Sequence, residues 1–183
     1  MFTGSIPWDF SETMGVINPW LVEPGSDTQH IIDTGFGNQQ TDFKQNQDEE
    51  FIAPLAGLKV IDATQGYTGP YVGLMLAEAG AEVIKIERPE VGDDTRHWGP
   101  PYLKDRAGNN TEDAAYFFCT NRGKQSVTVD ITQPEGQEII RQLALQADVL
   151  IENYKVDGLK KYGLDYASMA EINPGLVYCS ITG

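Results

Sequence analysis

The sequence predicts an α/β protein: a Rossmann-like parallel sheet with flanking helices, incomplete at its C-terminal end. Three observations carry this expectation. Short runs rich in Val, Ile and Leu recur at Leu58–Ile61, Ala81–Ile86, Ser126–Ile131, Asp148–Glu152 and Leu176–Ile181. Helical spacing fills most of the intervals between them. Gly and Pro punctuate the boundaries, as at Gly66, Gly69, Pro70 and Gly80. Strands alternating with helices favour βαβ crossovers, whose strand-to-helix turns gather at one sheet edge, where ligands of open α/β folds usually sit.

The organising stretch runs from Leu58 to Pro101. Leu58, Val60 and Ile61 start a strand, the glycines turn the chain, and Tyr71 to Ala79 take up helical spacing. Gly80 suits a left-handed C-terminal position, and Ala81 to Ile86 return as a second strand. The polar segment from Pro89 to Asp113, 25 residues long, reads as a loop longer than a structural connection needs, and so as a place for function. Ala114 to Cys119 is a short apolar helix or strand leading into Asn121-Arg122-Gly123-Lys124. Thr132 and Glu135 have capping-box spacing ahead of a helix whose apolar face holds Ile139, Ile140, Leu143, Ala144 and Ala147. Gly158 to Ile172 reads as helical in pieces. The last apolar strand has no helix after it, which leaves one of its faces uncovered, so the domain looks cut short.

Composition bounds the function. A chain of 183 residues with 40% hydrophobic content can hold one domain with a sizeable core. Residues 1–51 read as an acidic, largely irregular extension and residues 52–183 as the folded part. Within the first 55 positions nine acidic residues face the single Lys44, which accounts for -8 of the net charge of -14. Trp8, Phe10, Trp20 and Leu21 are its apolar exceptions. The acidic balance argues against nucleic-acid binding. No apolar run reaches the roughly 18 residues of a membrane span, and no signal peptide is evident, so the expected location is the cytoplasm. Cys119 and Cys179 fall in apolar segments and read as buried thiols in a reducing compartment, not a disulfide pair or a metal site.

No P-loop and no zinc-spaced Cys or His pairs are present, so no metal is expected. With His30 and His97 the only histidines, a Ser-His-Asp arrangement is unsupported. Gly66, Gly69 and Gly73 miss the dinucleotide spacing, although Glu87 stands where a ribose-binding acid would sit. Basic residues are scarce, and Lys85, Arg88, Arg96, Lys104, Arg106, Arg122 and Lys124 fall in or beside loops. Spacing leaves two readings open: several meet a phosphate-bearing ligand at one sheet edge, or they only balance Glu87, Glu90, Asp93 and Asp94.

Five motifs in order carry a resemblance. PLAGLKVIDAT followed by GP, LAEAGAEVIKIERPEVGDDTRHWGPP, NRGKQSVTVDI, ADVLIENY and INPGLVYCSITG closely resemble the N-terminal part of the class III CoA-transferase family, of the formyl-CoA transferase and carnitine CoA-transferase type. The match covers roughly Pro54 to Gly183 and leaves out the acidic first 50 residues. The resemblance implies a Rossmann-like large domain, a smaller domain, and an interlocked homodimer in the full-length protein. It implies CoA transfer from an acyl-CoA donor to a carboxylic acid acceptor through an acyl-aspartyl intermediate, in which a carboxylate nucleophile divides one difficult exchange into easier steps. Coenzyme A, as acyl-CoA, is the implied ligand.

By motif, the resemblance places Arg88 at the nucleotide end of CoA, with an ion pair to Glu87 or Glu90 as the structural alternative. Tyr67 and Thr68 fall in the first turn near the pantetheine and diphosphate; formyl-CoA transferase has Gln and Ala there, so donor or acceptor preference differs. Lys124 and Gln125 fall near the adenine and ribose, against the alternative of a surface lysine. Asn153, Tyr154 and Lys155 match a strand-end motif lining the CoA channel, with Tyr154 alternatively a core residue, and Lys161 matches a basic position that follows it. Asp157 and Gly158 replace the usual Pro-Gly, which puts that loop's shape in question. The family's catalytic aspartate lies beyond the SITG motif, so no catalytic residue is assigned, and Asp62, Asp93, Asp94 and Asp130 are not promoted to the role. Two alternatives stand beside transfer: an acyl-CoA racemase of the same fold, using a His and Asp pair at the α-carbon, and a non-catalytic CoA- or nucleotide-binding fragment.

Overall fold

In a computed structural model the described residues are 53–182; the acidic segment 1–51, with Trp8, Phe10, Trp20 and Leu21, lies outside them. The elements follow in the order β1 (Lys59–Ala63), α1 (Thr68–Glu78), β2 (Glu82–Glu87), β3 (Tyr102–Lys104), β4 (Asn110–Ala114), α2 (Ala115–Asn121), β5 (Lys124–Thr128), α3 (Pro134–Ala144), β6 (Val149–Glu152), α4 (Tyr166–Ile172) and β7 (Val177–Ser180). Five strands form one sheet in the order β5-β2-β1-β6-β7, and every neighbouring pair is parallel. The strand order reverses direction at β1, so the β1–α1 turn and the end of β6 flank the switch point of a doubly wound sheet.

The two faces of the sheet differ in chemistry. Side chains alternate along a strand, which sends Ile61, Ile84, Ile86, Val127 and Leu150 to one face, where Ile140, Leu143, Leu164 and Met169 cover them in a continuous apolar core. Removing a large side chain such as Ile61 or Leu150 from this layer costs about 2–5 kcal/mol. The opposite face, toward α1, carries a smaller apolar cluster around Val60, Ala81 and Val83. Beyond it lie Asp62, Lys85, Glu87, Arg96 and Lys124, all buried.

Several sequence expectations change here. The first helix begins at Thr68, three residues before the predicted start. Pro70 therefore sits in its first turn, where a missing N–H leaves no intrahelical bond unmade. The glycines of this turn are required by close approach: a Cβ on Gly69 would lie 2.4 Å from Thr64 Cβ, and one on Gly73 would lie 2.5 Å from Asp62 Oδ2. The Pro89–Asp113 segment is not a plain loop. It holds a 3-10 turn at Asp94–His97 and an antiparallel β3–β4 pair.

The capping box at Thr132 and Glu135 does not form. Gln133 is the N-cap of α3 with Pro134 following, and no side chain caps it. Thr132 instead donates its N–H and hydroxyl to Asp130 at 2.9 and 2.6 Å, a local turn that competes with capping. Both cysteines are exposed, against the expectation of buried thiols. Cys119 lies on the outer side of the short helix α2, and Cys179 lies on β7, which among the described residues is an edge strand paired with β6 alone, with Val177, Cys179 and Ser180 exposed.

Candidate functional site

The site is built on the turn between β1 and α1, and side chains from four places grip its backbone. Asp62 accepts from Thr64 N at 3.0 Å. Lys85 Nζ donates to Thr64 O at 2.8 Å. Asn153 closes on Gln65 from both sides, accepting from its N–H at 2.9 Å and donating to its carbonyl at 2.7 Å. Asp93 accepts from Gly66 N at 3.3 Å. Gly66 has φ +82, a left-handed conformation that glycine adopts without a Cβ penalty. The turn then presents Tyr67 and Thr68 outward, both exposed.

Below the turn lies a compact set of buried charges. Asp62, Glu87 and Asp93 are balanced by Lys85, Arg96 and Lys124. Lys85 pairs with Asp93 at 2.9 Å, Lys124 with Asp62 at 2.7 Å and Arg96 with Glu87 at 2.8 Å. Arg96 meets Glu87 as a two-point fork, its Nε donating to Oε2 at 2.9 Å, while Ser126 donates to Oε1 at 2.7 Å. Burial alone would raise the three carboxyls. The adjacent cations outweigh it and hold each below its ordinary value: Lys124 and Lys85 for Asp62, Arg96 for Glu87, Lys85 for Asp93. Burial pushes the Lys124 ammonium down to about 8, opposed by the pull of Asp62.

The basic residues read from the sequence as candidates for a phosphate thus divide. Lys85, Arg96 and Lys124 are internal ion-pair partners, because the α1 face supplies an acid for each. Arg122 pairs with Glu78 on α1. Arg88 remains at the edge, exposed at the end of β2; it is ion-paired with Asp94, not with Glu87 or Glu90 as the sequence alternative had it, and its Nε reaches Gly92 O at 3.4 Å.

The residues assigned by resemblance are likewise sorted by the structure. Tyr67, Thr68, Arg88, Asn153 and Tyr154 lie at the carboxyl ends of the neighbouring strands β1, β2 and β6. Tyr154 is half-buried against the apolar core, and its phenol is pushed up by burial with Arg88 near enough to oppose the shift. Lys155 is exposed. Lys161 is exposed too, with its Nζ 4.6 Å from the Tyr162 ring centroid.

Lys124 and Gln125 stand apart from this group. Lys124 donates to Asp62, to Pro70 O at 2.7 Å and to Asn121 Oδ1 at 2.9 Å, so its three protons are directed into the protein. It is buried and is not a surface lysine. Gln125, one residue on, points to the opposite face; it is buried, and its Oε1 has no hydrogen-bond partner among the described residues.

Sequence reasoning missed the aromatic surface beside the turn. Tyr67 stacks on Tyr71 with ring centroids 5.9 Å apart, and Tyr116 joins Tyr67 to Trp98 at 5.7 and 5.5 Å. The signal was weak because the four rings come from three separate segments. The Asp157 loop is settled: Asp157 has φ +60, a left-handed value that a proline could not adopt, while Gly158 is packed close to Lys155 O. The four aspartates left unassigned all have partners. Asp62 and Asp93 are sealed in ion pairs, Asp94 holds Arg88, and Asp130 accepts from Thr132.

Among the described residues no helix is long and apolar enough to cross a membrane. Comparison with known proteins gives consistent relatives. A succinate–glutarate CoA-transferase of Agrobacterium fabrum is 55% identical over 130 residues, covering 71% of this chain and 32% of that protein. A human succinyl-CoA:glutarate CoA-transferase is 44% identical over 140 residues, covering 76% of this chain and 30% of that protein. The chain thus spans about a third of the length of these relatives. A solved CAIB/BAIF family protein from Brucella suis superposes with a TM-score of 0.66 at 54% identity, covering 72% of this chain and 34% of that one. The family model described as CoA-transferase family III matches residues 55–183, and the chain belongs to that family.

Proposed function

We propose that this chain holds the CoA part of an acyl-CoA at the carboxyl edge of its sheet, in a protein that moves CoA from an acyl-CoA donor to a carboxylic acid acceptor. The observation that carries this reading is the convergence of Tyr67, Thr68, Arg88, Asn153 and Tyr154 at the ends of three adjacent strands, in a chain of CoA-transferase family III. Arg88 supplies the cation for a phosphate: its bond to Asp94 is exposed, and exchanging such a pair for a ligand costs about 1 kcal/mol or less. Lys155, exposed just after the end of β6, adds positive charge at the same edge. Lys124 acts beneath the site through Asp62 and the first turn of α1, not by touching the ligand.

The names of the relatives point to short dicarboxylic acids, with succinyl-CoA as donor and glutarate as acceptor. An interlocked homodimer is part of the same reading. No nucleophile is assigned among the described residues.

Calorimetric titration of the chain with coenzyme A tests the proposal. Arg88→Ala should weaken binding about tenfold or more, the value of a charge-assisted phosphate contact, while Arg106→Ala, on the β3–β4 connection, should leave it unchanged. Equal affinity of wild type and Arg88→Ala would reject the assignment of Arg88.

A further inference from the structure

The least expected feature of the molecule is that backbone groups of the β1–α1 turn are held by side chains brought from elsewhere. Two of these side chains form one buried pair. Asp93, just ahead of the 3-10 turn, accepts from Thr95 N at 2.9 Å and Thr95 Oγ1 at 2.7 Å, and with the same Oδ1 from Gly66 N at 3.3 Å. Its Oδ2 faces Lys85 Nζ at 2.9 Å, and Lys85 in turn donates to Thr64 O. The pair therefore touches the turn at Thr64 O and Gly66 N, the two points on either side of Gln65. Both side chains are fully shielded from water, with exposures of 1% for Lys85 and 0% for Asp93.

From this geometry we infer that Asp93 and Lys85 are positioning residues, a two-point tether that fixes the turn presenting Tyr67 and Thr68. A buried ion pair contributes little net stability compared with apolar residues of the same shape. What it supplies here is direction: a carboxylate and an ammonium whose remaining hydrogen bonds can be met in one arrangement of the turn. The 3-10 segment and the turn are thereby coupled, since Asp93 holds Thr95 and Gly66 together. Asp94, which pairs with Arg88, is the first residue of the same segment, so the tether also sets the spacing between the turn and Arg88. The inference rests on the CoA-binding reading for its consequence, though not for the tether itself.

The test has two arms on the full 183-residue chain. The first is amide hydrogen exchange at Gly66, with no ligand present. Asp93→Ala should speed this exchange about tenfold or more, as expected for loss of one buried hydrogen bond. The double variant Lys85→Gln/Asp93→Asn keeps the Oδ1 acceptor for Gly66 and the net charge, with a side chain one atom shorter at position 85, and should restore exchange to within about threefold of wild type. The second arm is the affinity for coenzyme A, which should fall about tenfold in Asp93→Ala and recover in the double variant. Unchanged Gly66 exchange in Asp93→Ala would overturn the tether. Faster exchange with unchanged affinity would overturn its role in positioning. If Asp93→Ala does not fold, the double variant decides: failure to protect Gly66 in that folded variant overturns the inference. Wild-type protein that does not bind coenzyme A would overturn the CoA reading and the positioning role together, with the exchange arm still deciding the tether.

Discussion

Lys124 Nζ donates to Asp62 Oδ2 at 2.7 Å, with both side chains sealed from solvent under the first turn of α1. The same ammonium reaches Pro70 O and Asn121 Oδ1, so one lysine joins β1, α1 and α2. Removing it leaves a carboxylate buried without its main partner. Lys124→Met should cost about 3–5 kcal/mol in urea denaturation, and the double variant Asp62→Leu/Lys124→Met should cost less than that single change. A loss in the double variant equal to the sum of the losses in Asp62→Leu and Lys124→Met would show that the pair is not energetically coupled.

Gly73 is small because Asp62 is there. A Cβ at this position would stand 2.5 Å from Asp62 Oδ2 and 3.1 Å from Lys124 Nζ. Helix propensity alone would reward Gly73→Ala by roughly 0.8–1 kcal/mol. Overpacking reverses the sign, and the variant should lose about 1–3 kcal/mol. A gain in melting temperature would refute the close approach.

Stability should fail in acid for a specific reason. Burial raises the Asp62, Glu87 and Asp93 carboxyls, but Lys124, Arg96 and Lys85 more than offset it, so all three sit below their ordinary values of 3.8, 4.5 and 3.8. The unfolded chain then takes up protons before the folded one as pH falls. The stability these groups contribute is fully present above the ordinary values and is lost as pH falls from there through the folded ones. The urea midpoint should be level near pH 6 and drop below about pH 4.5. A midpoint still level at pH 3 would contradict this.

Asn153 is predicted to matter for the turn more than for stability. Its amide makes both bonds to Gln65, and Asn153→Ala should cost about 1–3 kcal/mol while weakening coenzyme A binding by more than Ala substitution at Lys161. If Lys161→Ala proves the more damaging, ligand contact outweighs the clamp.

The two thiols give a direct check on the surface. Cys119 and Cys179 are exposed, and both should react with a thiol reagent in native buffer. Protection of Cys179 would mean that β7 is covered in solution.

The sequence by itself determined the parallel α/β sheet and the places of four of its strands, because hydrophobic periodicity and glycine punctuation are local signals; the fifth, expected at Ser126–Ile131, starts two residues earlier at Lys124, and the helix expected after Pro70 starts at Thr68. It also carried the resemblance in its motifs. The tertiary structure alone decided what the charges do. In sequence Lys85, Arg96 and Lys124 look like loop cations beside Arg88; the fold buries the first three against Asp93, Glu87 and Asp62 and leaves Arg88 at the edge. The partners lie 8, 9 and 62 positions apart, so local spacing could not assign them. The same holds for Asn153 and Gln65, 88 positions apart. Pairing of buried polar groups depends on which strand faces meet, and that is fixed only when the sheet is assembled.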